Sequence, residues 1–132
     1  MFVPIEEKPG KPFTILLSDD DPGVRRSLQL MLCACGYTVR SYTSGSALLA
    51  DPQAMCADCL VIDYHMPDID GLAVLKSLRV KGWPGKAIMV SAYCGPTLEK
   101  RAREAGFDEI FEKPSASRAL KDAIARFAKC AF

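Results

Sequence analysis

An excess of charge of either sign is almost absent from this chain: 17 Lys and Arg against 16 Asp and Glu leave a net charge of +1 over 132 residues. No field of one polarity is then available to hold nucleic acid or an anionic membrane. Arg25-Arg26 is the only adjacent arginine pair, too short for a phosphate-tracking stripe. No apolar run approaches the length of a transmembrane helix. The opening Met1-Phe2-Val3-Pro4-Ile5-Glu6-Glu7 lacks the basic start and apolar middle of a signal peptide, so a cytoplasmic protein is expected. Nine glycines and nine prolines are too few for a collagenous or disordered chain. Internal repeats, low-complexity tracts and linkers are also missing. One domain of ordinary size remains, long enough to bury its core without disulfide or metal staples.

Six cysteines are present, and two spacings invite a chemical reading: Cys33-Ala34-Cys35 and Cys56-Ala57-Asp58-Cys59. Residues two apart on a helix point in well-separated directions, which does not suit a zinc site. A redox Cys-x-x-Cys opens a helix after a strand, whereas Cys56 to Cys59 precedes one. The cysteines are expected to be reduced, mostly buried hydrophobes.

From Phe13 onward, apolar strand-like runs alternate with amphipathic helical ones, the pattern of an α/β protein with a doubly wound parallel sheet. The strands are expected at Phe13 to Leu17, Tyr37 to Tyr42, Cys59 to Ile62, Ala87 to Val90 and Phe107 to Phe111. Asp21-Pro22 supplies an N-cap and first-turn proline, and Val24, Leu28, Met31 and Cys35 form the buried stripe of the helix that Gly36 ends. Further helices are expected at Ser46 to Ala50, Leu72 to Val80 and Leu98 to Ala105, with a last one capped by Ser115 whose Leu120, Ile124 and Phe127 face the core. Residues 1–12, rich in proline and charge, read as a loose extension before a domain over 13–132.

In such sheets the functional crevice lies at the carboxyl ends of the strands. There the sequence places Asp19, Asp20 and Asp21 after the first strand, Asp63 after the third, Ser91 after the fourth and Lys113-Pro114 after the fifth. Adjacent carboxylates repel and raise one another's pKa unless a cation sits between them. Mg2+, which binds a few carboxylates, a carbonyl and several waters, suits the set better than Ca2+. A carboxylate beside such an ion, with a lysine and a small hydroxyl, is equipped to accept a phosphoryl group in line, and Asp63 is the expected nucleophile.

Leu16-Leu17-Ser18-Asp19-Asp20-Asp21-Pro22, Val61-Ile62-Asp63-Tyr64-His65-Met66-Pro67-Asp68-Ile69-Asp70-Gly71, Val90-Ser91-Ala92 and Glu112-Lys113-Pro114 resemble, in order and in register, the signature segments of the response-regulator receiver domain of bacterial two-component systems. The resemblance covers Phe13 to Phe127. It implies a flavodoxin-like fold with strand order 2-1-3-4-5 and assigns roles. Asp63 becomes the phospho-acceptor, and Asp20 and Asp63 bind Mg2+ directly with Asp19 assisting through water. The backbone carbonyl of His65 is a further ligand. Ser91 bonds a phosphoryl oxygen and shifts on activation, Lys113 contacts the phosphoryl group, the Lys113–Pro114 bond is cis, and Ala92 leaves the entrance open. Met66-Pro67 and Asp68 to Gly71 shape the metal loop. Partners are then a sensor histidine kinase or histidine phosphotransfer protein as donor, and a protein bound on the face of the fourth helix, fifth strand and fifth helix. No direct nucleic-acid contact and no membrane insertion are expected, and the chain is a monomer or weak dimer.

Two positions depart from the family pattern. Ile110 stands three residues before Lys113, where an aromatic switch is usual, and Phe111 follows it. His65 and Tyr93 put rings two places after the acceptor and the hydroxyl residue, where acyl-phosphate lifetime is tuned. The His65 ring is expected to rim the pocket rather than catalyse, Trp83 to anchor its loop, and Glu99 to Glu104 to form a solvated helix face. A binding switch rather than an enzyme is the expectation. Two alternatives are an aspartate-nucleophile phosphatase, against which Gly23 and the missing room for a cap domain both speak, and a receiver-like scaffold that works unphosphorylated. With the receiver filling the sequence, output is expected in trans, through another protein.

Overall fold

A computed structural model describes residues 12–113 and 117–131. Five parallel strands, β1 (Thr14–Ser18), β2 (Thr38–Tyr42), β3 (Cys59–Ile62), β4 (Lys86–Ser91) and β5 (Glu109–Glu112), lie in the order β2-β1-β3-β4-β5. They alternate with α1 (Pro22–Ala34), α2 (Gly45–Ala50), α3 (Gly71–Val80), α4 (Pro96–Ala105) and α5 (Ser117–Ala131). The expected doubly wound α/β sheet and strand order are therefore those observed. The extension over 1–11, the Ser115 cap and the bond to Pro114 lie outside the described residues.

Strand alternation divides the core between two faces. Leu16, Leu60, Ile62 and Met89 pack with Leu48, Val74, Leu75, Leu78 and Ala102 on the α2–α3–α4 side. Ile15, Leu17, Val61, Ile88 and Val90 pack with Leu28, Leu32, Leu120 and Ile124 on the α1–α5 side. Because helices cover both faces, the inner strands β1, β3 and β4 are apolar between their ends, where polar residues gather, whereas the edge strand β2 carries Arg40 and Ser41.

The first helix departs from its expected stripe. It stops at Ala34, so Cys35 is its C-cap and is exposed, and Leu32, one turn on from Leu28, takes the inner position. The cysteines are not mostly buried: Cys59 is buried and Cys94 half-buried, while Cys33, Cys35, Cys56 and Cys130 are exposed. These four exposed residues all sit at the end of α1, in the last turn of α5 or in the 3-10 turn over Pro52–Cys56. All six are free. The last strand begins two residues later than expected because Phe107 is used to close α4. Gly106 takes the left-handed conformation at φ 109°, and the Phe107 N–H donates to Ala102 O at 3.0 Å. Trp83 behaves as an anchor. It is 1% exposed, and its indole N–H donates to Ala57 O at 3.0 Å.

Candidate functional site

The three aspartates after β1 divide three tasks among themselves. Asp21 caps α1, its carboxylate accepting from the N–H groups of Gly23 at 2.9 Å and Val24 at 3.2 Å. Asp19 is buried; its Oδ1 accepts from the Asp21 N–H at 2.9 Å and its Oδ2 lies 2.7 Å from Lys113 Nζ. Asp20 stays exposed at the rim. Arg25 donates to the Asp19 carbonyl at 2.8 Å, a tie that nothing in the sequence motif announces.

Asp63 follows the last residue of β3 and continues the ladder by donating its N–H to Ser18 O at 3.1 Å. That places its buried carboxylate beside Asp19, across one ammonium: Lys113 Nζ is 3.1 Å from Asp63 Oδ2. The other oxygen, Oδ1, accepts from the backbone N–H of His65 at 3.2 Å. His65 is exposed, its ring edge-on to Tyr64 at 4.8 Å between centroids. Gly71 lets α3 start against the acceptor, since a Cβ there would sit 2.6 Å from the Asp63 carbonyl oxygen.

Ser91 closes β4, fully buried, and its hydroxyl donates to Tyr93 O at 3.4 Å. The backbone N–H of Lys113 donates to Ser91 O at 2.9 Å, so the hydroxyl residue and the lysine are positioned by one strand pairing. Ala92 is exposed next to it. Ile110 packs toward the α2–α3–α4 core and Phe111 toward the α1–α5 core, so Phe111 cannot stand in for the aromatic missing at 110.

Burial, the largest influence, raises the Asp63 pKa above the ordinary carboxylate value; Lys113 opposes it and Asp19 adds to it. For Lys113, burial alone would lower the pKa, but the bonds and charges of Asp19 and Asp63 outweigh it and the net shift is upward. The ammonium is thus fixed between two carboxylates.

Carboxylate oxygens of Asp19, Asp20 and Asp63 all lie within 4.8 Å of one another. Three anionic oxygen donors against one ammonium leave an excess of negative charge. A hard divalent cation with oxygen ligands, as Mg2+ is, fits this donor set.

The sequence motifs missed the supports around these residues. Ser18 donates its hydroxyl to Met66 Sδ at 3.2 Å, tying the loop after Asp63 to β1. Farther along the loop, Asp68 accepts from the Ser46 N–H at 2.9 Å, anchoring it to α2. Side-chain and backbone bonds from Ser46 bring the Asp68 pKa down to about 2. An Asp in a turn is too common a signal to locate a partner 22 residues away.

Known proteins resemble this chain in sequence and fold. A family model, the response regulator receiver domain, matches residues 15–125. Among curated proteins, the transcriptional regulatory protein FixJ of Azorhizobium caulinodans is 33% identical over 106 residues, 80% of this chain and 50% of its own. Response regulator protein TodT of Pseudomonas putida is 30% identical over 110 residues, 83% of this chain and 48% of its own. The chain therefore spans about half the length of these curated relatives. Among solved structures, FixJ-N superposes with a TM-score of 0.79 at 29% identity, covering 91% of this chain and 96% of that one. TrrA of Thermotoga maritima, solved in complex with Mg2+ and BeF, superposes with a TM-score of 0.77 at 28% identity, covering 87% and 98%. With the fold, the acidic cluster and the sequence all in agreement over most of its length, the chain belongs to the response regulator receiver domains of two-component systems.

Proposed function

We propose that Asp63 accepts a phosphoryl group from a phosphohistidine of a sensor histidine kinase or a histidine phosphotransfer protein, and that the acyl phosphate switches binding of a protein partner. In this step an Asp63 carboxylate oxygen forms the O–P bond as the N–P bond breaks, and the histidine ring leaves carrying a proton. The observation that carries the reading is the Asp19–Lys113–Asp63 bridge, 2.7 and 3.1 Å, with Ser91 tied to Lys113 through the β4–β5 ladder. Such a site fixes a nucleophile and a compensating cation before the donor arrives.

Asp19, Asp20 and Asp63, with the backbone carbonyl of His65, would hold Mg2+. Bound there, Mg2+ supplies positive charge against the oxygens of the transferring group. Lys113 is drawn to the phosphoryl oxygens as the Asp63 charge is esterified. Ser91 turns its hydroxyl from Tyr93 O to a phosphoryl oxygen, and the face of α4, β5 and α5 follows. TrrA, the relative solved with Mg2+ and BeF, supports the same ligand class here. The chain acts as a phospho-acceptor whose own site catalyses attachment and loss, not as an enzyme turning over a separate substrate. A phosphohistidine donor of this kind places it in the cytoplasm; among the described residues no helix is long and apolar enough to cross a membrane.

The test is incubation with Mg2+ and acetyl phosphate, followed by a search for an acid-stable, base-labile phosphoryl adduct. The adduct is expected on the native protein and not on Asp63→Asn. An unmodified native protein would favour a phosphorylation-independent scaffold, and sustained release of phosphate from phosphomonoesters would favour a phosphatase.

A further inference from the structure

Residues 92–95 join β4 to α4, and their attachment is unusual in what it lacks and what replaces it. α4 begins at Pro96 behind Gly95, and no side chain caps its N-terminus. The aromatic ring that would sit at position 110 is an isoleucine. Two polar ties hold the turn instead. The Ser91 hydroxyl donates to Tyr93 O at 3.4 Å, and the Cys94 backbone N–H donates to Glu112 Oε2 at 3.0 Å. The Cys94 thiol also approaches Phe111 O at 3.8 Å, so Cys94 is held to β5 from both its backbone and its side chain. Glu112 pairs with Ser91 in the β4–β5 register and immediately precedes Lys113. The carboxylate that grips the turn is therefore mounted on the backbone that positions both the hydroxyl and the lysine of the site.

We propose that Glu112 is a positioning residue that tethers the β4–α4 turn to β5 and takes the place of an aromatic switch at position 110. The proposal rests on the phospho-acceptor reading of Asp63 only for its second half. The two ties respond differently to a phosphoryl group. Ser91 has one hydroxyl hydrogen, so donating it to a phosphoryl oxygen releases Tyr93 O. The Glu112 tie uses a backbone N–H and a carboxylate outside the site and is left in place. In the unphosphorylated protein the Ser91 and Glu112 ties hold the turn together, beside the long Cys94 Sγ–Phe111 O contact; in the phosphorylated protein the Ser91 tie is gone. Glu112 then limits how far Tyr93, 70% exposed at the head of the turn, and the start of α4 can travel. Loss of Glu112 leaves only the long Cys94 Sγ–Phe111 O contact and converts a restrained shift into a much freer one.

Amide hydrogen exchange at Cys94 reads the tether directly. In the unphosphorylated protein, Glu112→Ala is expected to speed exchange at Cys94 by about three- to tenfold, the range set by one exposed charge-assisted hydrogen bond. Glu112→Gln, which keeps an acceptor oxygen, should fall between it and the native protein. Amides of Val61 and Ile62 in β3 serve as the control for an intact fold. Unchanged Cys94 exchange in Glu112→Ala overturns the tether, whatever happens at Asp63. The second half is measured after acetyl phosphate treatment, with the adduct confirmed by mass. Phosphorylated native protein should keep most of its Cys94 protection, whereas phosphorylated Glu112→Ala should exchange there nearly as an open loop. If phosphorylation adds nothing to exchange in Glu112→Ala, the two-tether account is wrong. If no adduct forms on the native protein, the reading of Asp63 fails while the unphosphorylated comparison still decides the tether.

Discussion

Lys113→Ala leaves two buried carboxylates facing each other without their cation. In the native site the ammonium lies 2.7 Å from Asp19 Oδ2 and 3.1 Å from Asp63 Oδ2, and the two acidic side chains are 2% and 6% exposed. Removing one member of a fully buried ion pair costs about 3–5 kcal/mol, because the remaining charge stays desolvated. The Lys113 side chain is itself 17% exposed, so water reaches the vacated space and screens part of the loss. A destabilisation of about 2–4 kcal/mol follows, or a fall in Tm of roughly 10 °C for a domain of this size. Urea unfolding at neutral pH without Mg2+, read by the fluorescence of the single Trp83, measures it. The same substitution in an Asp63→Asn background leaves only one carboxylate stranded and should cost at least about 1 kcal/mol less. Acid should also narrow the gap, since Asp63 already holds its proton more tightly than an ordinary carboxyl and protonation removes the repulsion. Mg2+ at ten times its dissociation constant should add about 1.4 kcal/mol to the native protein. A Lys113→Ala protein within about 0.5 kcal/mol of native, or an equal loss in both backgrounds, would refute the reasoning. Phosphoryl uptake by Asp63 is expected to survive in Lys113→Ala, while the partner response is lost; unchanged partner affinity of the phosphorylated variant would count against that role.

Asp63→Asn should stabilise the metal-free protein at neutral pH while abolishing the adduct. An acid whose pKa is raised on folding contributes stability when protonated and loses it as pH rises from the ordinary value through the raised one, so the neutral amide is favoured above that window; a lower urea midpoint than native contradicts this. Gly71→Ala should slow phosphorylation by acetyl phosphate at least several-fold, because its Cβ would press on the Asp63 carbonyl oxygen at 2.6 Å and displace the acceptor; native rates would show that α3 can retreat freely. Asp68→Ala should flatten the acid limb of the stability profile. Its pKa of about 2 makes its contribution present above the ordinary carboxyl range and lost as pH falls toward that value, so native and variant midpoints should converge in acid. Parallel profiles would remove Asp68 from the account.

The amino-acid order by itself determined the alternation of strands and helices, the helix cap at Asp21, and the polar residues at the strand ends. These are local matters: periodicity, a capping oxygen three residues from an N–H, and a chain that cannot bury a carboxylate inside a strand covered on both faces. It was also enough to single out Asp19, Asp63, Ser91 and Lys113 as members of one site, because parallel strands bring their carboxyl ends to the same edge. Cys35 was misplaced because a 3.6-residue stripe does not say where the helix ends, and most other cysteines because burial depends on what packs over an element's end. Only the tertiary structure decided which of the other two adjacent aspartates, Asp19 and Asp20, is buried against Lys113 and which stays at the rim. It alone brought Glu112 to the Cys94 N–H and Asp68 to Ser46. Such partners are chosen by the distance between strand ends and loops once the core has closed, and no spacing along the chain encodes that distance.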